Sequence, residues 1–260
     1  MMCRPDYFGI EYEINPWMRL TAQADRVLAE KQWHELYRVL TADLGAEVML
    51  LQPVKGLPDL TFTANGGYVE GTLFISSAFK YQERQRETPY FEGWFRDHGY
   101  PVHRLACDCP FEGEGDALRL GEAIVAGYRQ RSAIGAHTEL ARLTGRQVLS
   151  VELVSPWFYH LDTCFAPLRE DVALYFPEAF DAYGRQVIEE HVQHALAVSA
   201  RAAERFACNA VVVGDTIVTN TGCDDLEEPL SRFGFHVRAV DLSEFMKSGG
   251  SAKCLVLRLD

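Results

Sequence analysis

The sequence predicts a single α/β domain, because helix-like and strand-like segments alternate along the whole chain. Two further observations support this fold class. The chain has 260 residues and is 48% hydrophobic, which is enough to bury one extended core. It also has no Pro/Gly/Ser-rich linker and no abrupt charge shift that would mark a domain boundary. We therefore expect one domain over residues 1–260.

Apolar residues that recur every three or four positions predict the helices. The longest predicted helix covers residues 21–44, with Thr21 as its N-cap. Gly234 ends the last of them, as glycine commonly does after a helix. The other predicted helices cover residues 89–98, 137–143, 182–206 and 224–233.

Short runs of β-branched and aromatic residues between these helices predict strands. Several pairs of runs form a strand, a turn and a second strand before a helix. This order indicates a mixed-sheet unit that recurs roughly every fifty residues. The predicted strands cover residues 48–51, 68–75, 123–126, 148–153, 172–175, 210–218, 237–239 and 255–257.

Charge and cysteine content limit the partners and the compartment. The net charge of −12 argues against nucleic acid and anionic membranes, and it favours a cationic small molecule. No signal peptide and no apolar stretch of about 18 residues is recognisable, so we expect a cytoplasmic protein without a membrane span. Seven cysteines, an odd number, argue for reduced thiols rather than a disulfide framework. A homo-oligomer is left open.

Cys254 is the candidate nucleophile. It follows the small-residue loop Gly249-Gly250-Ser251-Ala252-Lys253 and precedes a short apolar run. Glycines let the backbone approach a ligand closely, and the adjacent Lys253 favours a thiolate. The alternative is a buried core cysteine, which is the commoner role of a free thiol.

Two acidic segments are candidates for acid–base chemistry. His160 and Asp162 face one way if they lie in a strand, and a His beside a carboxylate serves as general acid and base. Glu112, Glu114 and Asp116 alternate with glycines, which leaves carboxylates uncovered for a cation. The alternatives are a solvated turn for the first segment and an acidic surface turn for the second. A metal site is less favoured, because neither a calcium-loop nor a zinc pattern is complete.

Other polar side chains are candidates for substrate binding. Residues 58–67 alternate polar and apolar side chains, end on two glycines, and are expected to present Asp59 and Asn65 at a strand end. Asn15 supplies a further amide, although Asn-Pro is also a common turn. Arginine offers a planar fork to a carboxylate, with surface positions as the alternative. The arginines concerned are Arg84, Arg86, Arg129 and Arg131.

Taken in chain order, three of these motifs resemble those of the guanidino-group-modifying enzymes. They are Glu112-Gly113 with Gly115-Asp116, His160-Leu161-Asp162, and Gly249-Gly250 leading to Cys254. The superfamily contains arginine deiminases, dimethylarginine hydrolases, amidinotransferases and arginine dihydrolases. The resemblance is closest to the arginine dihydrolase domain of cyanobacterial enzymes that convert arginine to ornithine. It runs nearly end to end and includes the strings around Asn15, Asn65 and Phe206-Ala207-Cys208-Asn209.

The resemblance implies a fold and a set of roles. The fold is a five-bladed α/β propeller, or pentein, of pseudo-repeated ββαβ units. Cys254 attacks the guanidinium carbon, His160 acts as acid and base, and Glu112 and Asp162 bind guanidinium N–H groups. Glu114 is the alternative to Glu112. Neither a metal nor an organic cofactor is required.

The resemblance also implies which end of arginine is held and what is released. Asp59 helps to bind the α-amino group, while Arg84 and Arg131 grip the α-carboxylate, ahead of Arg86 and Arg129. Asn65 stands where deiminases place an aspartate, and with Asn15 it favours a dihydrolase that yields ornithine, two ammonia and carbon dioxide. The alternatives are a citrulline-releasing deiminase, a dimethylarginine hydrolase and a non-catalytic arginine sensor.

Overall fold

The computed structural model describes residues 1–259, and their strands form five small sheets. Four sheets have three strands each, and the fifth has two. The two-stranded sheet contains β1 (Met2–Cys3) and β2 (Leu50–Leu51). The others contain β3 (Gly67–Glu70), β4 (Leu73–Ser76) and β5 (Val102–His103); β6 (Ala117–Leu120), β7 (Ala123–Tyr128) and β8 (Gln147–Glu152); β9 (Phe165–Pro167), β10 (Val172–Tyr175) and β11 (His194–Ala197); β12 (Val211–Val213), β13 (Thr216–Asn220) and β14 (His236–Val240).

Each three-stranded sheet is built in the same way. Its first two strands form an antiparallel hairpin, and its third strand pairs in parallel with the second after a helical crossover. Three of the four hairpin turns use glycine at positive φ, namely Gly71 at 57°, Gly121 at 55° and Gly214 at 58°, because L side chains avoid that region. These turns split the predicted strands 68–75 and 210–218 into two strands each.

Helices connect the strands along the chain. They are α1 (Arg26–Arg38), α2 (Gln82–Gln85), α3 (Thr88–Asp97), α4 (Gly135–Thr144), α5 (Ala182–His191), α6 (Ala200–Glu204), α7 (Glu227–Ser231) and α8 (Ser243–Met246). Within residues 1–259, none of these helices combines the length and the apolarity that a membrane crossing requires.

The fifth sheet joins the two ends of the described chain. The strand β1 pairs in parallel with β2 across helix α1, and the backbone N–H of Leu257 donates to Met1 O at 3.0 Å. Four ββαβ units and one shorter βαβ unit thus close into a ring. The fold is the five-bladed α/β propeller, as the sequence resemblance implies.

Two predicted helices need correction. Residues 182–206 do not form one helix, because β11 separates α5 from α6 by pairing with β10. The Ala- and Leu-containing strand has good helix formers, so sheet pairing overrides local propensity here. Helix α1 is capped by Asp25, whose carboxylate accepts from the N–H groups of Val27 and Leu28, and not by Thr21.

The expectation of reduced thiols is also wrong at one position. Cys107 and Cys109 form a disulfide in the loop before Phe111. A two-residue separation closes only a very small loop, which is why a search for a stabilising disulfide framework does not find it. The other five cysteines are free and buried, and Cys254 is one of them.

A recurrent turn connects the fold to the site. Asn65, Gly115, Thr163 and Asn209 each lie two residues before the first strand of a blade, namely β3, β6, β9 and β12. Three of these positions lie in short 3₁₀ turns. The turns meet at the centre of the ring, where Ala64 N donates to Cys254 O at 3.2 Å. Chemistry-bearing residues about fifty positions apart are therefore brought together by the repeat itself.

Candidate active site

Cys254 lies in a turn that the preceding glycines bring against the ring centre. Its side chain is buried, and its thiol donates to Asp162 Oδ2 at 3.2 Å. The Nδ2 atom of Asn209 donates to Cys254 Sγ at 3.0 Å. Asn209 Oδ1 accepts from the backbone N–H groups of Ser251 and Cys254, each at 3.1 Å. One amide side chain thus holds both the sulfur and the backbone of the nucleophile loop.

The resting form of Cys254 is the neutral thiol. Burial raises its pKa well above the ordinary value, and the negative charge of Asp162 raises it further. Burial likewise raises the pKa of Asp162 to about 7. Lys253 does not play the expected role at the sulfur, because its Nζ binds Glu114 at 2.6 Å and Val256 O at 3.0 Å. A cation that enters beside Cys254 and Asp162 would favour the thiolate.

His160 forms the second reactive pair of the site. Its Nε2 atom lies 2.7 Å from Glu112 Oε2, and both side chains are buried. Arg131 Nη1 donates to the same carboxylate oxygen at 3.0 Å. Burial alone would raise the pKa of Glu112, but Arg131 and then His160 hold it well below its usual range. Glu112 is therefore an anion that orients the imidazole.

The choice between Glu112 and Glu114 is decided by geometry. Glu112 contacts His160, whereas Glu114 Oε2 accepts from Lys253 Nζ and from the backbone N–H of Arg258 at 3.1 Å. Asp116 is also a structural acid, because its carboxylate accepts from Ser132 and from the N–H of Leu161. It thereby ties the acidic loop to the His160 segment.

His160 and Asp162 do not lie in a strand, as the sequence pattern suggested. Leu161–Thr163 is a 3₁₀ turn, with His160 at its N-terminal boundary. The two side chains consequently reach different partners, Glu112 for His160 and Cys254 for Asp162. The segment still contributes both groups to the site, but for a different geometric reason.

A small cavity that is partly open to solvent lies beside Cys254. Two buried arginines line it. Arg131 is stacked between the rings of Tyr81 and Tyr159, at 4.7 and 4.6 Å from their centroids. Arg84 is paired with Glu87. Of the nine residues preferred for a role in the site, six line this cavity: Asn15, Asp59, Asn65, Arg84, Arg131 and Cys254. The other three, Glu112, His160 and Asp162, are not among its lining residues.

Two carboxylate oxygens, one at the cavity and one beside the Cys254 thiol, can accept further hydrogen bonds. Asp59 Oδ2 accepts from the Tyr12 hydroxyl at 2.9 Å, while Asp59 Oδ1 is buried and has no hydrogen-bond partner among residues 1–259. Within the same described range, Asp162 Oδ1 is also buried and unpaired. Buried acceptors without donors are costly, so a ligand that carries N–H groups would relieve the cost.

The two asparagines differ in how much of the amide is already used. Asn15 Nδ2 donates to Ser248 O at 3.1 Å, and its Oδ1 accepts from the N–H groups of Trp17 and Met18. Asn15 therefore holds the N-terminal turn against the nucleophile loop. Asn65 Oδ1 accepts from Arg84, and its Nδ2 is one of the buried atoms that lack a partner in the described chain.

Some candidates lie outside this arrangement, and one contributor was missed. Arg86 is exposed, and Arg129 is exposed and pairs with Glu152. Asn209 contacts both Cys254 and Asp162 but was not predicted as a site residue. Its place two residues before β12, equivalent to that of Asn65 before β3, is the signal that would have found it.

Asn209→Ala is expected to destabilise the protein and slow its chemistry. The change removes four hydrogen bonds, and it leaves the two backbone N–H groups of the loop without their acceptor. We expect a loss of about 2–3 kcal/mol in the free energy of unfolding by urea denaturation. We also expect turnover to fall roughly a hundredfold, because the sulfur is no longer positioned. The exposed Gln186→Ala serves as the control, and unchanged stability in Asn209→Ala would contradict the assigned contacts.

No group of three or more His, Cys, Asp or Glu side chains within residues 1–259 is arranged to hold a metal ion.

The ring fold and this thiol–carboxylate–imidazole site define the class of the guanidino-group-modifying enzymes. The family model for eukaryotic N,N dimethylarginine dimethylhydrolase matches residues 4–259. The chain belongs to this family.

Several relatives resemble the chain over its whole length. It is 45% identical over 264 residues to the bifunctional arginine dihydrolase/ornithine cyclodeaminase AgrE of Nostoc sp., covering 100% of this chain but 37% of the relative. It is 38% identical to the N(G),N(G)-dimethylarginine dimethylaminohydrolase of Mycobacterium tuberculosis, covering 99% of this chain and 84% of the relative. The chain thus spans only 37% of the length of the bifunctional relative.

Solved structures agree with the sequence comparison. The N-terminal domain of ArgZ, an arginine dihydrolase from the ornithine-ammonia cycle in cyanobacteria, matches as a C264S mutant bound to substrate. The match has a TM-score of 0.95 and 43% identity, covering 99% of this chain and 96% of that domain. A dimethylarginine dimethylaminohydrolase adduct matches at a TM-score of 0.80 and 20% identity, which supports the fold alone.

Proposed function

We propose that the protein is an arginine dihydrolase, which converts L-arginine and two waters into ornithine, two ammonia and carbon dioxide. The observation that carries the proposal is the Cys254 thiol at a cavity lined by Asp59, with Asp162 bonded to the sulfur; each of these two carboxylates has a buried oxygen without a donor among residues 1–259. Arginine carries N–H groups at both ends, so it can donate hydrogen bonds to both carboxylates. The similarity to AgrE and to the ArgZ domain favours the dihydrolase among guanidino-group enzymes.

Substrate binding follows from the charges at the cavity. Asp162 receives guanidinium N–H groups beside the sulfur, and Glu112 adds negative charge through His160. Asp59 accepts from the α-ammonium group, which is consistent with its one unpaired oxygen. Arg84 and Arg131 complement the α-carboxylate. Because both arginines also pair with buried glutamates, each offers the substrate only part of its donor set.

The first round releases one ammonia. The guanidinium charge lowers the pKa of the Cys254 thiol, and the sulfur attacks the central carbon. His160 protonates the departing nitrogen, which leaves as ammonia from an S-linked intermediate. His160 then takes a proton from water, the water oxygen bonds to the carbon, and the C–S bond breaks to give bound citrulline.

The second round repeats these steps on the ureido carbon. Sulfur attack expels the second ammonia and leaves a thiocarbamate on Cys254. Water displaces the sulfur and gives a carbamate on the ornithine nitrogen, which loses carbon dioxide. Asn65 supports this round, because a neutral amide fits a neutral ureido group, whereas a carboxylate would face its oxygen.

Product counting tests the proposal. Purified protein with L-arginine should give two ammonia for each ornithine, with little free citrulline. One ammonia with accumulating citrulline would indicate a deiminase, and binding without turnover would indicate a sensor. Dimethylarginine hydrolysis is the second candidate, favoured by the family model and the Mycobacterium tuberculosis relative. It predicts dimethylamine release from N,N-dimethylarginine at a rate above that of arginine hydrolysis.

Asn65→Asp is expected to shift the products towards citrulline. The variant keeps an oxygen towards Arg84 but replaces the amide N–H donor by a second carboxylate oxygen, which repels the ureido oxygen. The ratio of citrulline to ornithine should rise at least about tenfold, because one mismatched buried group costs more than 1 kcal/mol. Chromatographic product analysis measures this ratio, and an unchanged ratio would remove Asn65 from the specificity account.

Three further parts of the proposal concern the protein as a whole. We propose a cytoplasmic location, which is favoured by the five of the seven cysteines that are free thiols. We propose residues 1–260 as one catalytic domain. Assembly into a homo-oligomer stays a prediction, which light scattering of the purified protein would test.

A further inference from the structure

A buried ion pair lies directly behind Asn65. Arg84 Nε and Nη2 donate to the two carboxylate oxygens of Glu87 at 2.9 and 2.7 Å. Arg84 Nη2 also donates to Asp59 O at 3.2 Å, and Arg84 Nη1 donates to Asn65 Oδ1 at 2.6 Å. These contacts use four of the five N–H groups of the guanidinium. A side chain held this firmly acts mainly on its protein neighbours.

This pairing fixes which way the Asn65 amide faces. A guanidinium only donates hydrogen bonds, so the atom of Asn65 that meets Arg84 must be the oxygen. The Nδ2 group is consequently turned away from Arg84. It is buried, it has no hydrogen-bond partner in the part of the chain that the structure describes, and Asn65 lines the cavity with Cys254.

This Nδ2 group packs against Gly115, where a side chain would leave no room for it. A Cβ atom on Gly115 would lie 2.4 Å from Asn65 Nδ2 and 3.2 Å from two ring carbons of His160. The amide nitrogen and the imidazole therefore flank the same glycine. The donor thus lies close to His160, the residue that handles ammonia and water in the proposed reaction.

A fixed donor at this position distinguishes the two successive substrates. The guanidinium of arginine offers only donors, so it cannot pair with Nδ2. A ureido oxygen is an acceptor and can. The fixed Asn65 amide can therefore hydrogen-bond to the side chain of citrulline but not to that of arginine. An amide that turned freely could present its oxygen to arginine and its N–H to citrulline, and would not distinguish them.

We propose that the Arg84–Glu87 pair is a positioning device that holds the Asn65 amide as a donor towards the ureido oxygen, and so retains citrulline for the second round. The inference rests on the proposed function for its purpose. Its structural content is narrower, because it concerns the orientation of one amide. Arg84 acts here through Asn65, beyond any contact with the α-carboxylate.

The test compares L-citrulline with L-thiocitrulline, which is equally neutral and differs by sulfur in place of the ureido oxygen. Affinities are measured by calorimetry in a Cys254→Ser background, which prevents turnover. Arg84→Met releases the amide, so citrulline should lose roughly fivefold to tenfold more affinity than thiocitrulline, the worth of about one hydrogen bond. Arg84→Lys should keep the oxygen preference, because an ammonium also only donates.

Other consequences of removing Arg84 affect both ligands alike. Citrulline and thiocitrulline have the same α-amino acid end and an uncharged side chain. If Arg84 binds only the α-carboxylate, its loss therefore lowers both affinities equally. Equal losses in Arg84→Met would therefore overturn the proposal. If Arg84→Met does not fold, Arg84→Gln gives the same comparison, because glutamine both donates and accepts. The exposed Arg86→Met is the matched control and should change neither affinity.

This readout is separate from the proposed function. Binding in the Cys254→Ser background does not require either round of hydrolysis. A protein that releases citrulline would disprove dihydrolysis but would still give the citrulline-to-thiocitrulline comparison. A dihydrolase with equal losses in Arg84→Met would keep its function and lose this inference.

Discussion

Cys254→Ser is expected to lower turnover of L-arginine by at least about a thousandfold, because a serine hydroxyl is a much weaker nucleophile than a thiolate. The thiol is buried beside Asp162 and Asn209, and a hydroxyl can keep both hydrogen bonds. The fold should therefore persist. Steady-state ammonia release measures the effect, and calorimetry should still detect arginine binding.

A matched cysteine provides the control. Cys223 is also a free buried thiol, but it contacts the carbonyls of Ala202 and Arg205 and not the cavity. Cys223→Ser should keep turnover. If Cys254→Ser retained full turnover, covalent catalysis by this residue would be excluded, whatever the control gave.

His160→Gln is expected to slow arginine hydrolysis by about 10²–10⁴-fold, the usual contribution of a positioned general acid and base. Glutamine can still reach Glu112, so the charge balance around Arg131 is preserved. The loss then reports proton transfer rather than the loss of a buried partner. Initial rates of ammonia release measure it.

A substrate with a different leaving group separates the two roles of His160. In S-methyl-L-thiocitrulline, the group that departs is methanethiolate, which leaves without being protonated first. First-turnover release of methanethiol by His160→Gln should therefore be less impaired than ammonia release from arginine. Hydrolysis of the resulting intermediate should remain slow, because it still needs a base. Equal impairment with both substrates would exclude His160 as the acid.

The reactive residues were predictable because each lies in a motif whose spacing suits its chemistry. Glu112, His160 and Cys254 occur in the chain order of the superfamily motifs. In the structure Glu112 binds both His160 and Arg131, and Arg131 lines the cavity with Cys254. Their geometry was less predictable. The expected strand over His160 and Asp162 is a 3₁₀ turn, and Lys253 serves Glu114 rather than the sulfur.

What the sequence did not reveal depends on long-range contacts. The role of Asn209 arises only when the turn before β12 lies beside Cys254, so its one signal in the sequence is its place two residues before a strand, as for Asn65. Residues 194–197 have helix-forming composition, but pairing with β10 makes them a strand. The orientation of the Asn65 amide likewise depends on Arg84, nineteen positions away.

The fold class was predictable because it depends on local sequence patterns rather than on long-range contacts. Each unit contains a local sequence pattern for a hairpin, a helix and a strand, and this pattern recurs along the chain. The fifth unit was the exception. The predicted strand over residues 255–257 is not formed as such: Leu255 completes a turn, and Leu257 pairs with Met1 at the other end of the described chain.

A single-turnover experiment tests the central claim, two successive hydrolyses at Cys254, most directly. Protein in excess is mixed with L-arginine labelled with ¹³C at the guanidino carbon, and the label is followed by NMR. The account predicts that the label passes to carbon dioxide and bicarbonate while ornithine appears. Label that remains in citrulline, with one ammonia released, would contradict it.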